Sequence, residues 1–204
     1  MKTDIQRLSI VLATSLLVGC TVLQQPSTVA VKPDHLACPD SPELVDGNLE
    51  TIGMLQTDGY IEKRILVDYT RDKTLINQRQ IVGTKRAGAM ILLKTPMHIT
   101  HIEIYAASMI TEPMIDFATN KSLSGPDQFM PIKDRQVGNP IQPGETRRFR
   151  IGRKIRYLRI ITDAVEDTKR TNRTTRMKTN VTKIPLKGPR IREVKLYALP
   201  SDPQ

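Results

Sequence analysis

Three segments of this chain alternate apolar and polar residues with a period of two. No stretch of ten or more residues carries the 3.6-residue period of an amphipathic helix. "MHITHIEIYA" sets Ile102, Ile104 and Ala106 against His101, Glu103 and Tyr105. "KIRYLRIIT" sets Leu158 and Ile160 against Tyr157 and Arg159, and "RIREVKLYAL" sets Val194, Leu196 and Ala198 against Glu193, Lys195 and Tyr197. A more continuous apolar run, "AGAMILLK", reads as a central strand. Pro and Gly breakers ("TPM", "SGPDQ", "GNPIQPGE", "KGP") separate these runs, and no internal repeat occurs. Short strands punctuated by turns predict an all-β fold, an antiparallel sandwich or barrel. With only Cys20 and Cys38 in 204 residues, the hydrophobic core must hold it together.

The first twenty residues stand apart. Lys2 and Arg7 precede the apolar run "LSIVLATSLLVG", which is shorter than the roughly 20 residues of a spanning helix and suits a signal-peptide core. The run ends in Leu17-Val18-Gly19-Cys20, which resembles the bacterial lipobox. The resemblance implies cleavage before Cys20 and acylation of its thiol and new amino group with chains such as palmitate. An ordinary secretory signal is the other reading. Thr21, where an Asp would retain the protein at the inner membrane of an enteric-type bacterium, points to the outer membrane. The organisation expected is a signal peptide at 1–19, a lipidated Cys20 opening a flexible tether to residue 42, a β-domain at 43–199 and a tail at 200–204. Cys38 is then left without a partner in its own chain, either packed in apolar surroundings or open to pairing between molecules.

The β-domain opens with "LVDGNLET" and closes with "IREVKLYAL". That pairing resembles the discoidin or coagulation-factor type C group, which has the galactose-binding-like jelly-roll fold. Asp46, Gly47, Asn48 and Thr51 match the family's first loop, and Ile191, Glu193, Val194, Leu196 and Tyr197 match its closing strand. The resemblance implies a jelly-roll β-sandwich over most of residues 42–199. It also implies a structural calcium beside Asp46, Asn48, Thr51 and Glu193, because a hard cation wants oxygen donors. The alternative is a bare turn in which Asp46 and Asn48 bond their own backbone and Gly47 supplies a positive φ. Gly53 stands where the family usually places Trp, and the chain has no Trp at all. Exposed aromatic platforms for sugar rings are therefore few. Met109, Ile110, Met114 and Phe117 in "SMITEPMIDF" either form apolar loop tips or cap the barrel.

Charge is distributed unevenly. Residues 145–195 hold 17 Lys or Arg against five Asp or Glu, an excess of 12 in a chain whose net charge is +10. "RRFRIGRKIRYLR" interleaves its cations with apolar residues and reads as one solvated sheet face. Residues 167–190 read as a long polar loop carrying Lys169, Arg170, Arg173, Arg176 and Lys178. Such a loop is either a contact surface or a solubilising one. An exported protein does not meet nucleic acid, so the partners expected are envelope anions: glycan, lipopolysaccharide phosphates, anionic lipid or an acidic protein.

No catalytic constellation assembles. His35 falls in the tether, and His98 and His101, three apart on a strand, are expected to point to opposite faces. Nucleophile elbows, phosphate-cradling glycine loops and zinc-ligand spacings are missing from the sequence. The sequence thus predicts a non-catalytic, lipid-anchored envelope protein that binds an anionic partner through its basic loop. The alternatives are a carbohydrate-binding module with its ligand near Asp46, or a structural subunit of an envelope complex.

Overall fold

The computed structural model describes residues 27–200 except 69, 70, 72, 120–128 and 177. The segment expected as a signal peptide, Cys20 and residues 201–204 lie outside the described residues. Thirteen strands follow in order: β1 (Val29–Ala30), β2 (Leu36–Ala37), β3 (Gly53–Met54), β4 (Tyr60–Asp68), β5 (Lys73–Val82), β6 (Arg86–Ala106) and β7 (Met114–Ala118). Then come β8 (Met130–Pro131), β9 (Thr146–Asp163), β10 (Val165–Glu166), β11 (Asn172–Arg176), β12 (Thr179–Lys187) and β13 (Arg190–Ala198). The all-β antiparallel class read from the period of two is the class observed.

Eight strands form the larger sheet, in the order β1-β13-β6-β9-β7-β8, with β2 added to β6 and β3 to β13. Its spine is the pair β6 and β9, each longer than the sequence breakers suggested. "AGAMILLK" and "MHITHIEIYA" are one strand running through Thr95-Pro96, with the register shifting between Leu92 and Met97. Proline lacks the N–H a ladder needs, so it sits where pairing lapses. A second shift, between Ile99 and His101, faces Gly152 of β9, whose φ is +61°. The first half of β6 pairs with β2 and the second half with β13. Ile91, Leu93, Ile102, Ile104, Phe149, Leu158, Val194 and Leu196 all reach zero or near-zero exposure within one cluster. No helix longer than a 3-10 turn is present among the described residues to cover that face. Leu44, Leu55 and, from the second sheet, Ile61, Ile184 and Leu186 pack into the same cluster.

The second sheet, β10-β12-β4-β5 with β11 on β12, departs most from expectation. Residues 172–187, expected as loop, are a hairpin paired along β4 from Thr179↔Leu66 to Pro185↔Tyr60. Ile61, Ile184 and Leu186 anchor its root in the core. Farther out the sheet is an arm, and the described side chains of β5 from Lys73 to Ile81 are exposed. Residues 60–82 and 172–187 hold ten Lys or Arg against three Asp or Glu, so the arm is strongly basic.

The tether is also shorter than expected. Val29 and Ala30 pair with Ala198 and Tyr197, and Leu36 and Ala37 pair with Leu93 and Leu92. Val31, Leu36 and Cys38 are buried. Their spacing, broken by Pro33 and Pro39, shows no sustained period, which is why the sequence hid them. Ordered structure therefore begins by residue 29 rather than 43.

Candidate functional site

The loop after residue 45 folds on itself. Asn48 N–H donates to Asp46 Oδ1 (2.8 Å), Glu50 N–H to Asn48 Oδ1 (3.0 Å), and the Thr51 hydroxyl lies 2.8 Å from both Asp46 Oδ2 and the Asn48 carbonyl. Gly47 has φ +79°, and a Cβ there would meet Pro33 Cγ at 2.7 Å. These are the bonds of an Asx turn. Glu193 joins from β13, accepting the Gly47 N–H at 3.1 Å. The sequence placed Glu193 on the solvent face, yet it is 2% exposed because the loop lies over it. Burial and the neighbouring Asp46 carboxylate push its carboxyl up to about 7. The structure thus brings all four candidate calcium ligands together, and the turn accounts for their side-chain bonds. Only two carboxylates converge, and no group of three or more His, Cys, Asp or Glu with metal-holding geometry occurs among the described residues. The residues fit a cation only through the repulsion between Asp46 and Glu193 that it would relieve.

The five cations of 169–178 do not stay together. Lys169 and Arg170 lie on a 3-10 turn at the base of the arm, whereas Arg173 and Arg176 lie along β11 and Lys178, at φ +64°, on the turn at its tip. From residue 170 to 176 an extended strand runs roughly 20 Å. The pair at the base lines a groove of about 600 Å³ where β3, the loop after β6, β10 and the β12–β13 turn converge. Its apolar floor includes Met54, Met109 and Val165, all substantially exposed. Lys169, Arg170, Lys187 and Arg190 supply the cations. Asp167 ties two of them, lying 3.4 Å from Lys187 Nζ and 3.8 Å from Arg170 Nε, and leaves a net positive rim. Gly188 permits the tight turn beneath, since a Cβ there would lie 2.0 Å from the Leu55 carbonyl. Sequence reasoning missed Met54, Met109, Lys187 and Arg190 as one site, because they come from three separate segments. Of the apolar "SMITEPMIDF" residues, Ile110 and Phe117 are buried, and Met109 is the one that reaches the groove.

A second polar cluster lies on the outer face of β13-β6-β9. Glu103 Oε2 accepts both the Tyr105 hydroxyl (2.9 Å) and the Tyr197 hydroxyl (2.8 Å). Its Oε1 accepts Arg148 Nε (3.1 Å) and Nη2 (2.7 Å). Burial opposes ionisation of Glu103, but Arg148 and the two hydroxyls overcome it and hold its carboxyl below the usual range. The same arrangement, after burial, raises the Tyr197 phenol. His101 stacks on Tyr197 with ring centres 4.3 Å apart. The register shift at Ile99 overturns the expectation for the histidines: His98 and His101 line the same depression, because the bulge at Thr100 leaves two residues between the buried Ile99 and Ile102.

Several solved structures are similar to the chain, among them carbohydrate-binding modules. The family 32 module of Clostridium perfringens NanJ, in complex with galactose, is 11% identical over 84% of this chain and 99% of its own, with TM-score 0.43. A family 32 module from a family 31 glycoside hydrolase of the same organism is 15% identical over 83% and 94%, with TM-score 0.42. Chitosan-binding module 1 of a chitosanase/glucanase from Paenibacillus sp. IK-5 is 9% identical over 80% and 93%, with TM-score 0.45. No protein-family model matches the sequence, and no curated protein matches it.

Proposed function

We propose that this chain is a non-catalytic binding module of the bacterial envelope, anchored in the outer membrane by acyl chains on Cys20, whose groove at the base of the arm takes an anionic glycan. The observation that carries the reading is the groove's make-up: an apolar floor of Met54, Met109 and Val165 within reach of Lys169, Arg170, Lys187 and Arg190. A sugar ring offers an apolar face, and its carboxylate or phosphate substituents pair with guanidinium and ammonium groups. Among the described residues no aromatic side chain lines the groove, so a neutral sugar would lack its usual stacking partner, which favours a charged one. The basic rim replaces the whole of 167–190 as the contact surface.

Binding of uronic-acid and phosphorylated oligosaccharides should be measured beside neutral galactose oligomers, for the natural chain and for K169Q/R170Q/R190Q. Affinity for the acidic sugars should exceed that for galactose oligomers and fall at least tenfold in the triple variant. It should persist in R173Q/K178Q, which alters only the arm. Equal affinity for neutral and acidic sugars, or equal loss in the arm variant, would overturn the assignment.

A further inference from the structure

We infer that the outer face of β9, around the depression between Arg148, Arg150 and His98, is a membrane-apposed site that holds phosphates of anionic lipid headgroups. The depression, about 660 Å³, is lined by Thr28, His98, Thr100, His101, Arg148 and Arg150 with Gly152. Cross-strand register puts Arg148 opposite Glu103, Arg150 opposite His101 and Lys154 opposite His98, so three cations follow one another along one strand face. The arrangement is built rather than incidental. Glu103 takes the Nε and Nη2 groups of Arg148 and is itself fixed by two tyrosine hydroxyls, which offsets much of that charge and fixes the guanidinium with its Nη1 group left as a donor. The Arg148 side chain stays 65% exposed. Arg150 is placed through its backbone, whose N–H donates to Asp134 Oδ2 at 2.7 Å, and its side chain is exposed. Gly152, with nothing within 4 Å of a built Cβ, keeps the floor open.

What brings this face to lipid rather than to another anion is its position relative to the tether. Thr28 lines the depression, eight residue steps along the chain from Cys20. A chain of that length spans at most about 29 Å fully extended. An acylated Cys20 therefore confines the depression to within that distance of the bilayer, where surface Lys and Arg contribute most. The inference rests on the proposed acylation of Cys20 for its orientation, but its chemistry can be tested without it.

Full chains carrying Cys20→Ser cannot be acylated, so any membrane binding must come from the protein. Such chains, with and without R150Q/K154Q, are sedimented with vesicles of phosphatidylglycerol and phosphatidylethanolamine, or of phosphatidylcholine alone. Both proteins keep the same leader, so their difference isolates the β9 face. Binding to the anionic vesicles should fall by roughly 30-fold in R150Q/K154Q, at about tenfold or less per cation, and binding to phosphatidylcholine should be weak for both. Among the described residues Arg150 and Lys154 form no ion pair, and both are exposed, so these variants should keep the natural melting temperature. Arg148→Gln, checked in the same way, should also weaken binding. Equal binding of the double variant, or an equal loss in K169Q/R170Q/R190Q, would overturn the site. A soluble natural chain in cell fractionation would remove the anchor and leave the vesicle result standing.

Discussion

Stability should fall as pH rises from 5 to 8, and Glu193 should be the cause. Its carboxyl is pushed up to about 7 in the fold by burial and by Asp46, against an ordinary value of 4.5. A carboxyl raised on folding is more willingly protonated in the native chain than in the unfolded one. Its stabilising effect is therefore present in full below about 4.5 and is lost as pH climbs through 7. At about 1.4 kcal/mol per pH unit, the loss comes to about 3 kcal/mol, or roughly 6–12 °C in melting temperature for a domain of this size. His101 acts in the opposite direction: burial and Arg148 hold its imidazole below 6.5, so protonation there costs stability as pH falls. Glu193→Gln separates the two, because the amide still accepts the Gly47 N–H and carries no charge. Melting curves at pH 5, 6, 7 and 8 in chelator should slope downward for the natural chain, and the variant should lose that slope and melt higher at pH 8. A variant that keeps the natural slope would refute the reasoning. Millimolar calcium then reads the loop directly: an ion held by Asp46, Asn48, Thr51 and Glu193 restores the melting temperature at pH 8, whereas an unchanged curve assigns the loop to the turn alone.

Two further predictions concern packing. Gly188→Ala places a methyl group 2.0 Å from the Leu55 carbonyl, a backbone atom that cannot swing aside. It should cost about 3 kcal/mol or more in urea unfolding, and a loss below about 0.5 kcal/mol would show the groove floor to be softer than its geometry. Cys38 is 2% exposed, and burial raises its thiol. In the Cys20→Ser chain a thiol reagent at pH 8 should label it orders of magnitude more slowly in the native protein than in urea. Disulfide-linked dimers on a non-reducing gel would contradict this.

The sequence was most legible where one rule governed each residue. Ile102, Ile104, Leu158, Ile160, Val194 and Leu196 alternate because one sheet face is buried, and all six are core residues. The basic run of β9 reads correctly for the same reason: Arg148, Arg150, Lys154 and Arg156 are exposed, with Phe149 and Ile155 beneath. Strict alternation failed at the bulge, where Thr100 shifts the parity and turns His98 and His101 to one side. It also failed for 172–187, because polar strands of an exposed arm carry no hydrophobic signal and are specified by pairing with β4, 110 or more residues away. Glu193 obeyed the alternation yet is buried, since a loop from the other end of the domain covers it. The groove was illegible because no local pattern announces side chains gathered from four separate segments.

The two proposed sites lie at opposite ends of β13. Arg190, which opens the strand, borders the groove. Tyr197 and Ala198, which close it, pair with the first ordered strand after the tether, beside the depression lined by Thr28 and Leu199. Eight strand intervals separate the two, roughly 26 Å. A cationic surface alone would let the protein lie on an anionic membrane in many orientations, with the groove occluded in some of them. With Cys20 acylated as proposed, a short tether leaving beside one cationic depression would remove that freedom: the acyl chains and the β9 cations would pull on the same end and hold the groove at the far one. On that proposal, dividing the charge between a membrane-proximal strand face and a distal rim has a physical use that a single basic loop would not, since one surface orients the molecule and leaves the other free to bind.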